Sequence, residues 1–211
     1  MTIETWLAFV AASTVLLAIP GPTVMLVISY GLGEGRRSAW ATVAGVALGD
    51  FTAMTLSLLG LGAVLAASAA LFTVLKWAGA AYLVYLGVRL WRSEPRPEAL
   101  AAAPTESPIL SPWPMLGHAF AVTALNPKSI MFFVAFLPQF ITSSAPVLPQ
   151  VAVLEATFLT LAALNAAAYA YLAGRLRGAV RRPAVLKAIN RIGGGILIGA
   201  GVAAAALRRA A

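Results

Sequence analysis

Apolar residues gather in six long stretches, roughly 5–30, 39–66, 70–91, 114–140, 149–174 and 188–207. Each is near or above the length of about 20 residues that crosses a bilayer as a helix. The pattern predicts an all-α integral membrane protein with six transmembrane helices. The fourth and fifth stretches are separated by the Pro- and Ser-rich turn "LPQFITSSAPVLPQ". The longest polar connection, "RSEPRPEALAAAPTESPILSPWP", is too rich in Pro, Ala, Ser and Glu to build a core and reads as a flexible linker. It divides one transport domain, 1–211, into residues 1–92, a cytoplasmic linker 93–113, and residues 114–211.

Two of the apolar stretches are broken. "LAIPGPTVML" carries Pro20, Gly21 and Pro22 inside the first, and "ALNPKSIMF" carries Asn126, Pro127 and Lys128 inside the fourth. Proline removes a backbone donor and clashes with the carbonyl four residues before it, so each motif interrupts a helix. About fifteen residues from the start of a span, at 1.5 Å each, is about 22 Å, at or a little past the bilayer centre. Freed backbone groups at that depth must face protein or a water-filled cavity. A plain proline kink is the simpler reading of one such motif. Two at equivalent positions suggest discontinuous helices whose new N-termini, with the amides of Thr23 to Met25 and Ser129 to Met131, suit an anion such as a carboxylate.

The halves also resemble each other. "PGPTVML" at 20–26 aligns with "NPKSIMF" at 126–132, and "GAAYLVYLGV" at 79–88 with "GGGILIGAGV" at 193–202. Three spans per half would insert the second half upside down, giving two inverted three-helix repeats with broken first helices. Charge agrees with this plan. Eleven of the fifteen Lys and Arg residues fall on one side if both termini are outside and the odd loops cytoplasmic. The pair Arg208 and Arg209 is the discordant note. The acidic "MTIETWLAFV" start lacks a basic region, so the first span is expected to be retained rather than cleaved as a signal.

Composition narrows the function. The chain of 211 residues is 61% hydrophobic and only 10% charged, with mean hydropathy +0.88. Soluble domains carry about 25% charged residues. The net charge of +8 therefore speaks for membrane orientation rather than nucleic acid. No cysteine is present, which excludes disulfides and thiolate metal sites, and nothing points to a metal site or a cofactor. No H-E-x-x-H, G-x-S-x-G or phosphate loop occurs, so no catalytic constellation is expected.

Four charged residues lie inside spans: Asp50, Lys76, Lys128 and Glu155. Such residues are functional candidates by default. Asp50, about 11 residues into the second span, is expected to hold a substrate ammonium or a coupling proton, or to pair with Lys128. Lys128 would attract a carboxylate or balance Asp50. Lys76 reads as a snorkelling residue, Glu155 as a gate or interfacial anchor, and His118 as structural. The expected substrate-binding set is Pro20, Gly21, Pro22, Thr23, Asp50, Asn126, Pro127, Lys128 and Ser129. Gly45 and Gly49, and likewise Gly195 and Gly199, form small-xxx-small faces, and Gly79 joins them as a helix-packing residue. These faces suit packing within one chain, and association of two chains as a homodimer stays open. Trp6, Trp40, Trp77, Trp91 and Trp113 sit near span ends as an aromatic belt.

Taken together, "PGPTVMLVISYGLGEGRRSAW", "GVALGD", "KWAGAAYLVYLGVRLWRS" and "ALNPKSIMFFVAFLPQF" resemble, in order and spacing, the LysE/RhtB family of amino-acid exporters. The resemblance implies a secondary transporter of the bacterial inner membrane that exports amino acids or close derivatives, driven by the proton motive force. The family's motif positions here are Pro20, Gly21, Pro22, Gly45, Gly49, Asp50, Asn126, Pro127 and Lys128. The residues themselves suggest alternating access, Asp50 as the proton-exchanging group, and a weak preference for neutral amino acids. Efflux of another small solute or a hard cation is the alternative, as is a non-transporting membrane assembly or lipid-handling protein.

Overall fold

The computed structural model describes residues 1–19, 21–34, 38–67, 69–93, 111–142, 145–180 and 183–206. In chain order these form α1 (Ile3–Ala18), α2 (Pro22–Gly33), α3 (Ala39–Ala67) and α4 (Ala69–Arg92). After the linker come α5 (Pro112–Ala124), α6 (Pro127–Ala135), a short 3-10 turn (Leu137–Phe140), α7 (Val147–Val180) and α8 (Pro183–Ala206). Among the described residues every regular element is helical. Most of the linker, 94–110, lies outside them, as does Pro20.

Both interrupted stretches are broken where the prolines demand it. The axis turns by 56° between α1 and α2 and by 47° between α5 and the segment Pro127–Phe140. Pro22 and Pro127 open their helices, where a missing N–H is harmless and the fixed φ is already helical. Among the described residues, Ala39–Gly60 and Val147–Ala173 are each long and apolar enough to cross a membrane. Counting each bent pair as one span raises the number to four. The third and sixth predicted spans correspond to α4 and α8, which are helices of 24 residues.

The long helix of each half packs on the broken helix of the other: α3 lies along α5 and α6, and α7 along α1 and α2. Helices α4 and α8 form a third tight pair. Small residues permit these approaches. A Cβ on Gly45 would collide with the Leu116 carbonyl, and one on Gly49 would lie 2.7 Å from Thr123 Cβ and 2.8 Å from the Phe120 carbonyl. The predicted face of Gly45 and Gly49 thus packs within the chain, against α5. A Cβ on Gly31 would likewise lie 2.9 Å from Ala173 Cβ on α7. Between α4 and α8 the closest approach is Gly87 against Gly194, where either Cβ would stand 2.6 Å from the other's carbonyl. A Cβ on Gly195 would lie 3.1 Å from the Trp91 ring, while one on Gly199 would meet open space. The α4–α8 seam therefore runs through Gly194 rather than Gly199. The surroundings of Gly79 lie outside the described residues.

One end of the core is a phenylalanine cluster. Phe133 and Phe158 meet edge to face with centroids 4.9 Å apart, and Phe9 and Phe140 at 5.2 Å. A second cluster of smaller side chains, including Val27, Val46, Ala119 and Ala166, lies around α2, α3, α5 and α7. The polar site described next opens beside these residues, where α1 stops short.

Candidate functional site

A helix that ends inside a protein leaves its last carbonyls without intrahelical partners. At the end of α1 these are Leu16, Leu17, Ala18 and the capping residue Ile19, and each receives a donor from the second half of the chain. Lys128 Nζ donates to the Leu16 carbonyl at 2.9 Å and to that of Ile19 at 3.0 Å. Asn165 Nδ2 donates to the Leu17 carbonyl at 3.1 Å, and the Tyr169 hydroxyl to that of Ala18 at 3.0 Å. Asn165 and Tyr169 are four apart on α7, hence on one face. The break in the first half is closed by α6 and α7.

The breaks also touch directly. Asn126 Nδ2 donates to the Thr23 hydroxyl at 3.3 Å, and that hydroxyl lies 3.2 Å from the hydroxyl of Thr123, the latter buried near the end of α5. The same side chain caps α6, its Oδ1 accepting from the Lys128 backbone N–H at 3.1 Å. The two half-helix N-termini therefore differ. That of α6 is capped by its own asparagine. That of α2 begins at Gly21, which has no side chain to cap it.

These groups surround a cavity of about 30 Å³. Gly21, Thr23, Asp50, Asn126, Lys128 and Ser129, six of the nine predicted site residues, line it. Asp50 is 2% exposed and lines it. It interacts with the Lys128 charge through space. Pro22 and Pro127 are exposed helix starters outside the lining, and Pro20 lies outside the described residues. Lys128 points at the carbonyl end of α1, so its ammonium meets the negative end of that helix dipole.

Thr123, Asn165 and Tyr169 belong to this polar assembly, although the sequence pattern did not single them out. Asn165 carried the one usable signal: an amide in the middle of an apolar run, four residues before a tyrosine. The other singled-out residues lie apart from the cavity lining. Glu155 Oε1 accepts from the Thr55 hydroxyl at 2.7 Å, joining α7 to α3. His118 Nδ1 lies 2.9 Å from the Tyr30 hydroxyl, joining α5 to α2. The side chain of Lys76 lies outside the described residues. Trp6 Nε1 donates to the Thr157 hydroxyl at 3.1 Å, and Trp40 meets Trp113 edge to face. Among the described residues no three His, Cys, Asp or Glu side chains gather as a metal site requires.

What the arrangement can do follows from its charges. Unwound carbonyls and a carboxylate suit a cation or ammonium, and the uncapped start of α2 suits an anion. Both lie on one small cavity, so a molecule carrying the two charges close together fits the donor set.

Comparison with known proteins bears on this reading. The family described as LysE type translocator matches residues 14–207. A membrane protein of Vibrio cholerae described as uncharacterized is 37% identical over 96% of this chain and 97% of its own length. The homoserine/homoserine lactone efflux protein of Salmonella typhi is 34% identical over the full length of both chains. The leucine efflux protein of Salmonella choleraesuis is 30% identical over 67% of this chain and 65% of its own. No solved structure matches the chain.

Proposed function

This chain belongs to the LysE type translocator family, and from that premise we propose that it exports amino acids or close derivatives across the bacterial inner membrane. It works by alternating access, driven by the proton motive force. Six spans form two inverted three-helix repeats, 1–92 and 114–211, joined by the cytoplasmic linker 93–113, with both termini outside. The exchange of partners between halves, α3 with α5 and α6, and α7 with α1 and α2, supports the repeat plan.

The observation that carries the proposal is the meeting of the two breaks around a buried carboxylate. The substrate's amino group faces the α1 carbonyls beside Asp50. Its carboxylate faces the uncapped first turn of α2 at Thr23 and Val24, both of which line the cavity. Asp50 exchanges the coupling proton. With one acidic and one basic side chain at the cavity, a substrate without extra net charge is favoured. The Salmonella relatives are described as homoserine/homoserine lactone and leucine efflux proteins, and homoserine and leucine, as neutral amino acids, support a substrate of that class.

The test is efflux of a radiolabelled amino-acid panel from loaded vesicles under an imposed pH gradient. Export of a neutral amino acid that collapses in Asp50→Asn is the expected result. Full pH-driven export by Asp50→Asn would falsify the role of Asp50, and no export of any amino acid by the unaltered protein would overturn the function.

A further inference from the structure

Ser13, on α1, is fully buried, and its hydroxyl has no hydrogen-bond partner among the described residues. Inside a helix such a hydroxyl can return to the carbonyl four residues before it. Thr42, Thr52, Thr157 and Thr160 all do so here, at 2.7–2.9 Å. Ser13 makes no such bond. A buried hydroxyl left unpaired weakens a fold, and in a native structure it calls for a reason. We infer that the Ser13 hydroxyl is a second, outward contact for the substrate's head group, on an export path that leaves the cavity along this face of α1 and through the phenylalanine cluster. The inference rests on the proposed export function and deepens it.

Three observations carry it. The first is position. Leu16 and Leu17 line the cavity, and their carbonyls receive Lys128 and Asn165. Ser13 stands four residues before Leu17, about 6 Å nearer the start of α1. That start is outside in the proposed topology, so Ser13 lies one step from the cavity in the direction of export. Its hydroxyl serves either charge of an amino acid: the oxygen accepts from an ammonium, and the proton is donated to a carboxylate.

The second is what surrounds that step. Phe9 and Leu16, four before and three after Ser13, share its face of the helix and belong to the phenylalanine cluster. The rings run on from Phe9 to Phe140, Phe136 and Phe132, with successive centroids 4.8–5.2 Å apart. Met1 and Ile141 pack against the same cluster. It therefore reaches from Leu16 on the cavity to the first residue of the chain. A charged head group that crosses apolar rings loses its hydration, which is costly without a polar partner. Ring faces attract an ammonium, and a hydroxyl on the same path adds the hydrogen bond that they lack.

The third is that Ser13 has no bond to break. Thr23, Asn126 and Lys128 each hold hydrogen bonds that a ligand must replace. The Ser13 oxygen holds none. A head group that reaches it as the rings part gains a full hydrogen bond and relieves a buried, unpaired group at once. The contact forms only on the way out, because the closed cluster covers the hydroxyl completely.

The chain has no cysteine, so Ser13→Cys carries its single thiol, close in size to the serine. The experiment uses cells that express the full chain and export an amino acid that it moves, from a panel including leucine and homoserine. A membrane-impermeant cationic methanethiosulfonate is added outside, and the isolated chain is assayed for labelling. Ser13→Cys is expected to label several-fold faster than Thr14→Cys, whose position is at the same depth but exposed on another face, about 100° around the helix. Ser13→Ala is expected to melt in detergent at the parent's temperature or above, since it removes an unpaired hydroxyl, while its efflux falls by about tenfold. Full efflux by Ser13→Ala, or a melting temperature well below the parent's, overturns the inference while leaving the export function standing. So does a transporting Ser13→Cys that labels no faster than Thr14→Cys, or that labels only in inverted vesicles. Where Ser13→Cys does not transport, Ser13→Ala decides by itself. Absence of all amino-acid efflux from the unaltered protein overturns the function and this inference with it.

Discussion

Asn126 donates from its Nδ2 to the Thr23 hydroxyl at 3.3 Å, joining two helix breaks 103 residues apart. Through its Oδ1 it also caps the helix that follows. One amide therefore ties the ends of two interrupted helices and sets where Lys128, two residues on, can reach.

This double use separates two substitutions. Asn126→Ala removes cap and tie, and is expected to cost about 0.5–2 kcal/mol for the cap alone. Asn126→Asp keeps an N-cap acceptor but loses the donor to Thr23. Its melting temperature in detergent should lie between those of Asn126→Ala and the unaltered protein, with efflux reduced in both variants.

Asp50 is buried on the same cavity as Lys128, whose ammonium is its counter-charge. Removing one member of a buried charge pair leaves the other uncompensated, which weakens a fold. Asp50→Asn should therefore melt below the parent, and efflux should fall by about tenfold or more. An unchanged melting temperature would argue against Asp50 as the counter-charge of Lys128.

The α1 carbonyls supply a stability test away from the charged pair. Asn165→Leu leaves the Leu17 carbonyl without its donor and should cost about 1–3 kcal/mol. Tyr169→Phe removes a hydroxyl bond to Ala18 that lies nearer the surface, and should cost about 0.5–1.5 kcal/mol. Denaturation in detergent would check both, and equal effects would argue against the difference in burial.

Glycine substitutions discriminate between two seams. Gly49→Ala should destabilise by about 1–3 kcal/mol, because its Cβ would meet both the Phe120 carbonyl and Thr123. Gly194→Ala should do likewise against Gly87, whereas Gly199→Ala should be neutral or slightly stabilising. Melting curves of the four proteins, parent included, would settle the ranking.

What was legible in the sequence was local. Proline stereochemistry acts within four residues of itself, so the break after α1 and the start of α6 could be read directly from "IPGPT" and "LNPKS". The same holds for Gly45 and Gly49, whose spacing of four marks a close helix face. Long apolar runs announced helices, and Asp50 and Lys128 stood out because charge is rare there. Tertiary structure alone decided which partners these features found. Whether Lys128 would face a carboxylate, a helix N-terminus or a carbonyl depended on the distance between α6 and α1, which no local pattern encodes. The same long-range packing brought Asn165 and Tyr169 to the orphaned carbonyls. It also set Gly194 rather than Gly199 against α4, because five residues along a helix turn the face by a net of about 140°.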